Sequence, residues 1–354
     1  MDFLYDIPIL GLVFQLGGYL VDVLPRIADG ILAGATPIAL GAMCGILCER
    51  SGVVNIGIEG MMLTGAFVGY AIGTIVTDAF PPAEGVTAFG ITLPLLVGVA
   101  CAVIAGVGLA TVHAWLSISL RADQIISGTI INITAIGVTG YLYRLVGTEL
   151  GGAGRFQKAR VPNELADVPV VGWLFEMFLH QGPIAMSVIV VVLVLQVLLF
   201  RSRWGLRTRA VGEHPRAADT VGIDVIRLRY RNVIVGGALA GLAGGYLTLE
   251  ATGTFQNGMT AGRGFIALAA VIFGRWTPVG AFIAALLFAG SERLGIAIGL
   301  SPPQGQLGDL LAGLPNQFYA ALPYLITIIV LAGVVGRSIP PAADGQPYMK
   351  EGST

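Results

Sequence analysis

Charge is scarce in this chain. Only 12% of its 354 residues are Asp, Glu, Lys or Arg, about half of what a soluble domain uses to cover its surface. That deficit excludes an ordinary water-soluble domain, and a formal net charge of −1 argues against a nucleic-acid partner. Cysteine and histidine are equally sparse: Cys44, Cys48 and Cys101 lie in apolar stretches, and His113, His180 and His214 are far from them in sequence. Neither a disulfide framework nor a metal site is readable, and Cys44 and Cys48, one helical turn apart, read as small apolar packing residues. No GxxxxGK[ST] segment and no hydrolase motif occurs, so no ATPase, cofactor or catalytic residue is expected in this chain. The N-terminal MDFLYD lacks the basic region and small-residue cleavage site of a removable signal peptide.

What is present is hydrocarbon. Hydrophobic residues make up 55% of the chain, mean hydropathy is +0.82, and 51 glycines suit the close approach of membrane helices. Crossing a bilayer takes about 20 apolar residues. Runs of that kind at 7–24, 30–47, 55–76, 92–116, 123–146, 183–200, 232–250, 264–274, 278–298 and 318–336 predict an all-α, polytopic membrane protein of about ten transmembrane helices. The 264–274 run is too short to cross alone, and 55–76 opens on the glycine-rich NIGIEG, so either is expected to be broken or re-entrant. Residues 1–29 form an N-terminal membrane or interfacial segment and 30–336 the transmembrane domain. The polar, proline-rich 337–354 reads as a disordered tail.

Orientation follows from basic charge in short loops. The 201–231 stretch carries eight arginines against Glu213, Asp219 and Asp224, which places it and both termini in the cytoplasm. The 147–182 segment then lies outside, as a partner contact or as an interfacial loop anchored by Trp173 and Phe175. Two glycine-rich spans, ending at Glu49 and at Glu250, echo each other with opposite orientation, as an inverted repeat would.

Three constellations carry candidate function. In ERSGVVNIGIEGMML, Asn55 precedes an intramembrane carboxylate, Glu59. Such a group either faces a pathway or complements the dipole of its own helix. In MTAGRGFIALAAVIFGRW, Thr260 is a candidate cap for a half-helix beside Gln256, Asn257 and Phe265. Gln124, Ser127 and Asn132 add polar groups to one face of the 123–146 span, available to a substrate or to a neighbouring helix. On the cytoplasmic side, RTRAVGEHPRAADTVGI predicts a short helix begun by Pro215 and stopped by Gly222. Such a helix fits a groove on a separate motor, while the plainer reading is an arginine-rich loop that fixes topology and contacts anionic membrane lipid.

These three segments resemble the ATP-binding cassette importer permeases of the ribose and branched-chain amino acid superfamily, over roughly 30–335, and within it the nucleoside branch. Sugar-branch relatives carry a DLSVGS-like stretch where this chain has NIGIEG. The resemblance implies a cell (inner) membrane permease paired with a second related permease, two cytoplasmic ATPase subunits or domains that bind ATP and Mg, and an extracytoplasmic substrate-binding protein or lipoprotein. It implies that residues 213–222 form the coupling helix, with Arg209, Glu213, Pro215, Arg216, Ala217, Asp219 and Gly222 in the contact. It also implies that the GIEGMM and GRGFIALAA segments, with Glu59 and Phe265, line the substrate pathway, where Asn55, Gln124, Asn132 and Asn257 are the candidate polar groups. Pentose sugars and branched-chain amino acids remain alternative substrates. An ion-coupled secondary transporter, with Glu59 or Glu250 carrying the ion, remains an alternative class.

Overall fold

The structure is a computed structural model that describes residues 8–80, 88–147, 150–152, 154–166, 168, 172–312, 314–315, 317–318, 321, 325 and 338–350. The long apolar helices pair their backbone groups internally, as a setting without water requires, and no strand occurs among the described residues. The helices are α1 (Pro8–Glu49), α2 (Ile58–Ala79), α3 (Leu93–Ala114), α4 (Gln124–Val146), α5 (Asn163–Ala166), α6 (Gly172–Leu179), α7 (Pro183–Arg201), α8 (Arg203–Glu213), α9 (Pro215–Thr220), α10 (Val225–Tyr246), α11 (Arg263–Phe273), α12 (Pro278–Leu300) and α13 (Gln306–Ala312). Wide π-type turns extend α3 through Trp115–Ser119 and α10 through Leu247–Thr252.

Seven helices among the described residues are long and apolar enough to cross a membrane. The shortfall from ten has three sources. The expected spans at 7–24 and 30–47 are one continuous helix, α1, because backbone shielded from water has no better partner than its own ladder, even at Gly17 and Gly18. The 264–274 run forms α11, an 11-residue helix that is short, as expected. The tenth run, 318–336, lies almost wholly outside the described residues.

The contact pattern divides the chain into two compact units, Met1–Ala35 with Ala159–Gln181 and Leu286–Gly336, and Thr36–Lys158 with Gly182–Ala285 and Arg337–Thr354. In the first, the Gln181 amide donates to the Asp29 carbonyl (2.8 Å) and the Tyr19 hydroxyl to the Ser301 carbonyl (2.8 Å). Arg293 of α12 lies against Gly30, where a Cβ would come within 3.1 Å of its Nε.

The second unit is built around α2, α3 and α10, which pack on one another through small residues rather than through large interlocking side chains. A Cβ at Gly65 would lie 2.8 Å from the Gly241 carbonyl oxygen, and one at Gly98 would lie 2.8 Å from that of Gly69. Leucine at Gly65 is therefore expected to force α2 and α10 apart and abolish a monodisperse detergent-extracted protein, as read by size-exclusion chromatography, whereas leucine at Gly108, where nothing lies within 4 Å, is expected to be tolerated.

The tail corrects its sequence expectation. Residues 338–350 are packed, not disordered, against the second unit: Ala343 N–H donates to the Gly212 carbonyl (2.9 Å), and Tyr348 joins Val211, Ala218 and Val225 in a buried apolar cluster. Composition suggested disorder because the segment is polar and proline-rich. It is ordered in part because one of its carbonyls, that of Gln346, serves a buried arginine on α10, described below.

Candidate functional site

Between α1 and α2 the chain leaves the helix at Glu49, turns at Ser51 and Gly52 (φ +84°) and runs without helical pairing over residues 53–57. A non-helical segment this buried must find side-chain partners. Two of the residues singled out from sequence supply them. Gln124 Oε1 accepts from Val54 N–H (2.7 Å). Asn132 Oδ1 accepts from Gly60 N–H (2.8 Å), while its Nδ2 donates to the Ile56 carbonyl (3.0 Å). Both ends of the Asn132 amide thus hold the entry to α2. Asn55 is fully buried, its Nδ2 facing the soft acceptors Cys44 Sγ, Cys48 Sγ and Met61 Sδ at 3.6–3.7 Å.

His113 completes this set and was missed. Its Nε2 lies 3.0 Å from the Val54 carbonyl and its Nδ1 3.0 Å from Ser127 Oγ. A carbonyl only accepts, so Nε2 carries the proton, and Ser127 donates to Nδ1 of the neutral ring. The only sequence signal was one imidazole in an apolar run, without a neighbouring partner.

Glu59 gives the site its electrostatic character. It lies in the first turn of α2, and its two oxygens accept from the N–H groups of Gly262 (2.8 Å) and Gly264 (2.6 Å) at the start of α11. One carboxylate therefore serves the positive ends of two helices. Thr260, the expected cap of this half-helix, is not used: α11 begins from Gly262 (φ +80°) without a side-chain cap of its own. The close approach requires glycine at 264, where a Cβ would lie 2.6 Å from the Glu59 Cα.

Asn257 and Phe265 are placed differently. Both are exposed, Phe265 by 49%, on α11 and on the segment that leads into it. That segment is anchored by buried Phe255, whose ring packs edge-on against Phe67 (5.2 Å) and Tyr143 (5.1 Å). The structure thus gathers Asn55, Glu59, Gln124 and Asn132 around one loop and leaves Asn257 and Phe265 open beside α11. Replacing Asn132 by leucine would leave Gly60 N–H and the Ile56 carbonyl unpaired, at about 1–3 kcal/mol each. The variant is expected to unfold several degrees lower in detergent, while Asn132→Gln keeps both hydrogen-bonding groups and loses less.

The two span-ending carboxylates sit in different settings. Glu250, in the π turn after α10, accepts from Ile184 N–H (2.7 Å) and Ala185 N–H (3.0 Å) at the start of α7. Glu49 accepts from the Trp276 indole N–H, while Arg50 Nε donates to the Trp276 carbonyl (2.9 Å). Together Glu49 and Arg50 hold a turn after α11 in which Arg275 and Trp276 take left-handed φ of +52° and +54°, a costly conformation for residues with a side chain.

The arginine-rich stretch forms α8 and α9. Pro215 is the first residue of α9, as expected, and Gly222 (φ +84°) follows its end, with its N–H donating to the Asp219 carbonyl (2.9 Å). Arg216 and Ala217 point to solvent and Asp219 is partly covered. Glu213, at the end of α8, is turned to the tail, where its Oε2 accepts from Ala342 N–H (3.1 Å). Arg209 lies over the Phe200 ring at 5.1 Å. A cavity of about 480 Å³ opens between residues 213–217 and the tail residues 342–349.

Within the tail, burial raises the Asp344 carboxyl from its ordinary 3.8 to about 7 against the opposing pull of a Gly345 N–H and of Arg229. Arg229 faces it from α10, and Glu49 interacts with it from the end of α1. A raised carboxyl favours the packed tail when protonated. Its contribution is full below pH 3.8 and is lost as pH rises to about 7. Protection of the tail from protease is therefore expected to weaken as pH rises from about 4 to about 7, and Asp344→Asn is expected to remove that dependence.

Several known proteins with similar sequences are ABC transporter permeases. A guanosine ABC transporter permease, NupQ of Bacillus subtilis, is 38% identical over 94% of this chain and 98% of its own length. A nucleoside ABC transporter permease, NupC of Lactococcus lactis, is 34% identical over 93% and 98%. A putative glucose ABC transporter permease, TsgC13 of Haloferax volcanii, is 37% identical over 88% and 92%. No solved structure matches. The family model described as a branched-chain amino acid transport system permease component matches residues 27–331, and with relatives of this identity along nearly the whole length, the chain belongs to that family of multi-pass membrane permeases.

Proposed function

We propose that this chain is the membrane-spanning subunit of an ATP-driven nucleoside importer. The observation that carries the reading is its near full-length similarity to relatives named for guanosine and nucleosides. The chain carries no nucleotide-hydrolysis motif, so ATP and Mg are bound by two partner ATPase subunits or domains. A second related permease completes the membrane pore, and an extracytoplasmic binding protein or lipoprotein delivers the substrate. The C-terminal tail and α9 face the cytoplasm of a cell-membrane protein, as the arginine bias of 201–231 supports, and α1, one continuous helix rather than two spans, no longer brings the N-terminus to the same side.

The coupling helix is α9. Its solvent face of Arg216, Ala217, Thr220 and Val221 beside an open groove supports a docking role. In the pathway, Phe265 stacks a base and Asn257 meets its polar edge, both being exposed. Glu59, Gln124, Asn132 and Asn55 act from behind, by fixing the loop and the start of α11 against which the pathway forms. A sugar substrate is the second reading, favoured by the glucose-named relative at 37% identity.

The test is uptake into proteoliposomes holding the chain with its ATPases, second permease and binding protein. Guanosine, adenosine and uridine are compared with ribose and glucose. ATP-dependent accumulation of nucleosides with no sugar uptake is expected. Sugar uptake alone would replace the first reading by the second, and gradient-driven uptake without ATPases would sink both.

A further inference from the structure

A single arginine side chain, deeply buried, ties three parts of the second unit that the sequence keeps far apart. Arg229 of α10 is 1% exposed. Its Nε donates to the Ser51 carbonyl (3.0 Å), in the turn between α1 and α2, and its Nη1 donates to the Gln346 carbonyl (2.9 Å) in the tail. Burying a guanidinium is costly unless its donors are satisfied. Here Nε and Nη1 reach backbone carbonyls of two segments without regular secondary structure, while Nη2 is buried without a hydrogen-bond partner among the described residues, so those segments and the arginine order one another.

On one side the tail is joined to α8 and α9. Ala343 N–H donates to the Gly212 carbonyl, Ala342 N–H donates to Glu213, and Tyr348 packs with Val211 and Ala218. On the other side it is joined to the loop and to α11: a Cβ at Gly52 would lie 2.9 Å from the Ala343 carbonyl oxygen, one at Gly345 would lie 3.4 Å from Val54 Cγ2, and Ser338 Oγ donates to the Ile272 carbonyl (2.8 Å). Val54 belongs to the segment held by Gln124 and His113, which leads within five residues to Glu59 and so to the start of α11. An unbroken run of hydrogen bonds and packed atoms therefore leads from α9 through the tail and Arg229 to the loop and α11.

We propose that residues 338–350, pinned by Arg229, form a transmission strap: Arg229 is a positioning residue that makes α9, the 51–57 loop and the start of α11 move as one body. The inference rests on the reading of α9 as the contact to the ATPase and adds the element that carries its motion inward. None of the candidate pathway residues lies in the strap, and the outward face of α9 is exposed, so loss of the strap separates hydrolysis from transport without removing the motor.

The experiment uses the full complex in proteoliposomes and reads substrate accumulated per ATP hydrolysed, a ratio that a fall in the amount of folded protein leaves unchanged. The variants are a chain ended after Arg337, Arg229→Gln and Arg229→Lys. The expected result is a ratio at least about fivefold lower for the truncation and for Arg229→Gln, with ATPases still co-purifying. Arg229→Lys, which keeps the charge but offers no planar pair of donors, is expected to fall between. A second arm keeps the strap intact and links Ile272→Cys to Ile339→Cys, exposed side chains beside the hydrogen bond from Ser338 to the Ile272 carbonyl, with a flexible bis-maleimide. Transport is expected to survive, because the two move together. Unchanged ratios in the truncation and in Arg229→Gln would overturn the proposal, and so would loss of transport on cross-linking, which would mean that the tail must leave. If the unmodified complex itself shows no ATP-dependent uptake, the proposed function fails instead, so the two failures are told apart.

Discussion

Alanine at Glu59 is expected to reduce uptake to background. The substitution strips the start of α11 of the carboxylate that accepts from Gly262 and Gly264 N–H, in a place where water is a poor substitute. Hydrogen bonds to an ionised group are worth about 1.5–3 kcal/mol each, so two of them put about 3–6 kcal/mol on the docking of α11 to α2. Against an overall stability of about 5–15 kcal/mol, the result is local release of α11 or loss of the fold. Glutamine retains one acceptor oxygen and loses the charge, so Glu59→Gln is expected to keep a folded protein with impaired uptake. Uptake and detergent thermal stability measured on the same preparations separate the two variants. Full activity of Glu59→Ala would show that the carboxylate neither caps α11 nor serves the pathway.

Charge reversal at Arg216 is expected to lower substrate-stimulated ATP hydrolysis at least about tenfold, equivalent to about 1.4 kcal/mol at the interface, with no change in thermal stability. Arg216 is exposed on α9, so the fold has nothing to lose by the change. A docking surface, however, meets a like charge or an empty partner. Ala217→Trp tests the same face by bulk. Assembly measured by co-purification of the ATPases, beside hydrolysis in liposomes, distinguishes weakened docking from weakened coupling. If Arg216→Glu hydrolyses and transports as the unmodified chain does, α9 is a topology-fixing loop and not the motor contact.

The legible parts of this molecule are those set by local chemistry. Pro215 and Gly222 bracket α9 because a proline suits a first helical turn and a glycine suits a left-handed stop, and both act within a few residues of themselves. Glu59 was conspicuous because carboxylates are rare in hydrocarbon. Its partners were not legible: Gly262 is 203 residues away, and nothing in either segment names the other. The same distance hid the role of Asn132, whose amide is spent on the backbone of another loop, and of His113. The tail misled for a related reason. Its composition is that of a disordered segment, and its order comes in part from Arg229, 117 residues upstream, whose need for carbonyl acceptors appears only once it is buried. The runs at 7–24 and 30–47 read as separate spans, but a water-poor setting supports α1 without interruption, Gly17 and Gly18 included.

The most direct measurement is accumulation of radiolabelled guanosine by proteoliposomes containing the complete complex, with ATP and Mg supplied on the side of the ATPases. The expected result is uptake against a gradient that requires ATP, the ATPases and the binding protein together, and that collapses in Glu59→Ala. Uptake that persists without ATP or ATPases, driven by a proton or sodium gradient, would contradict it.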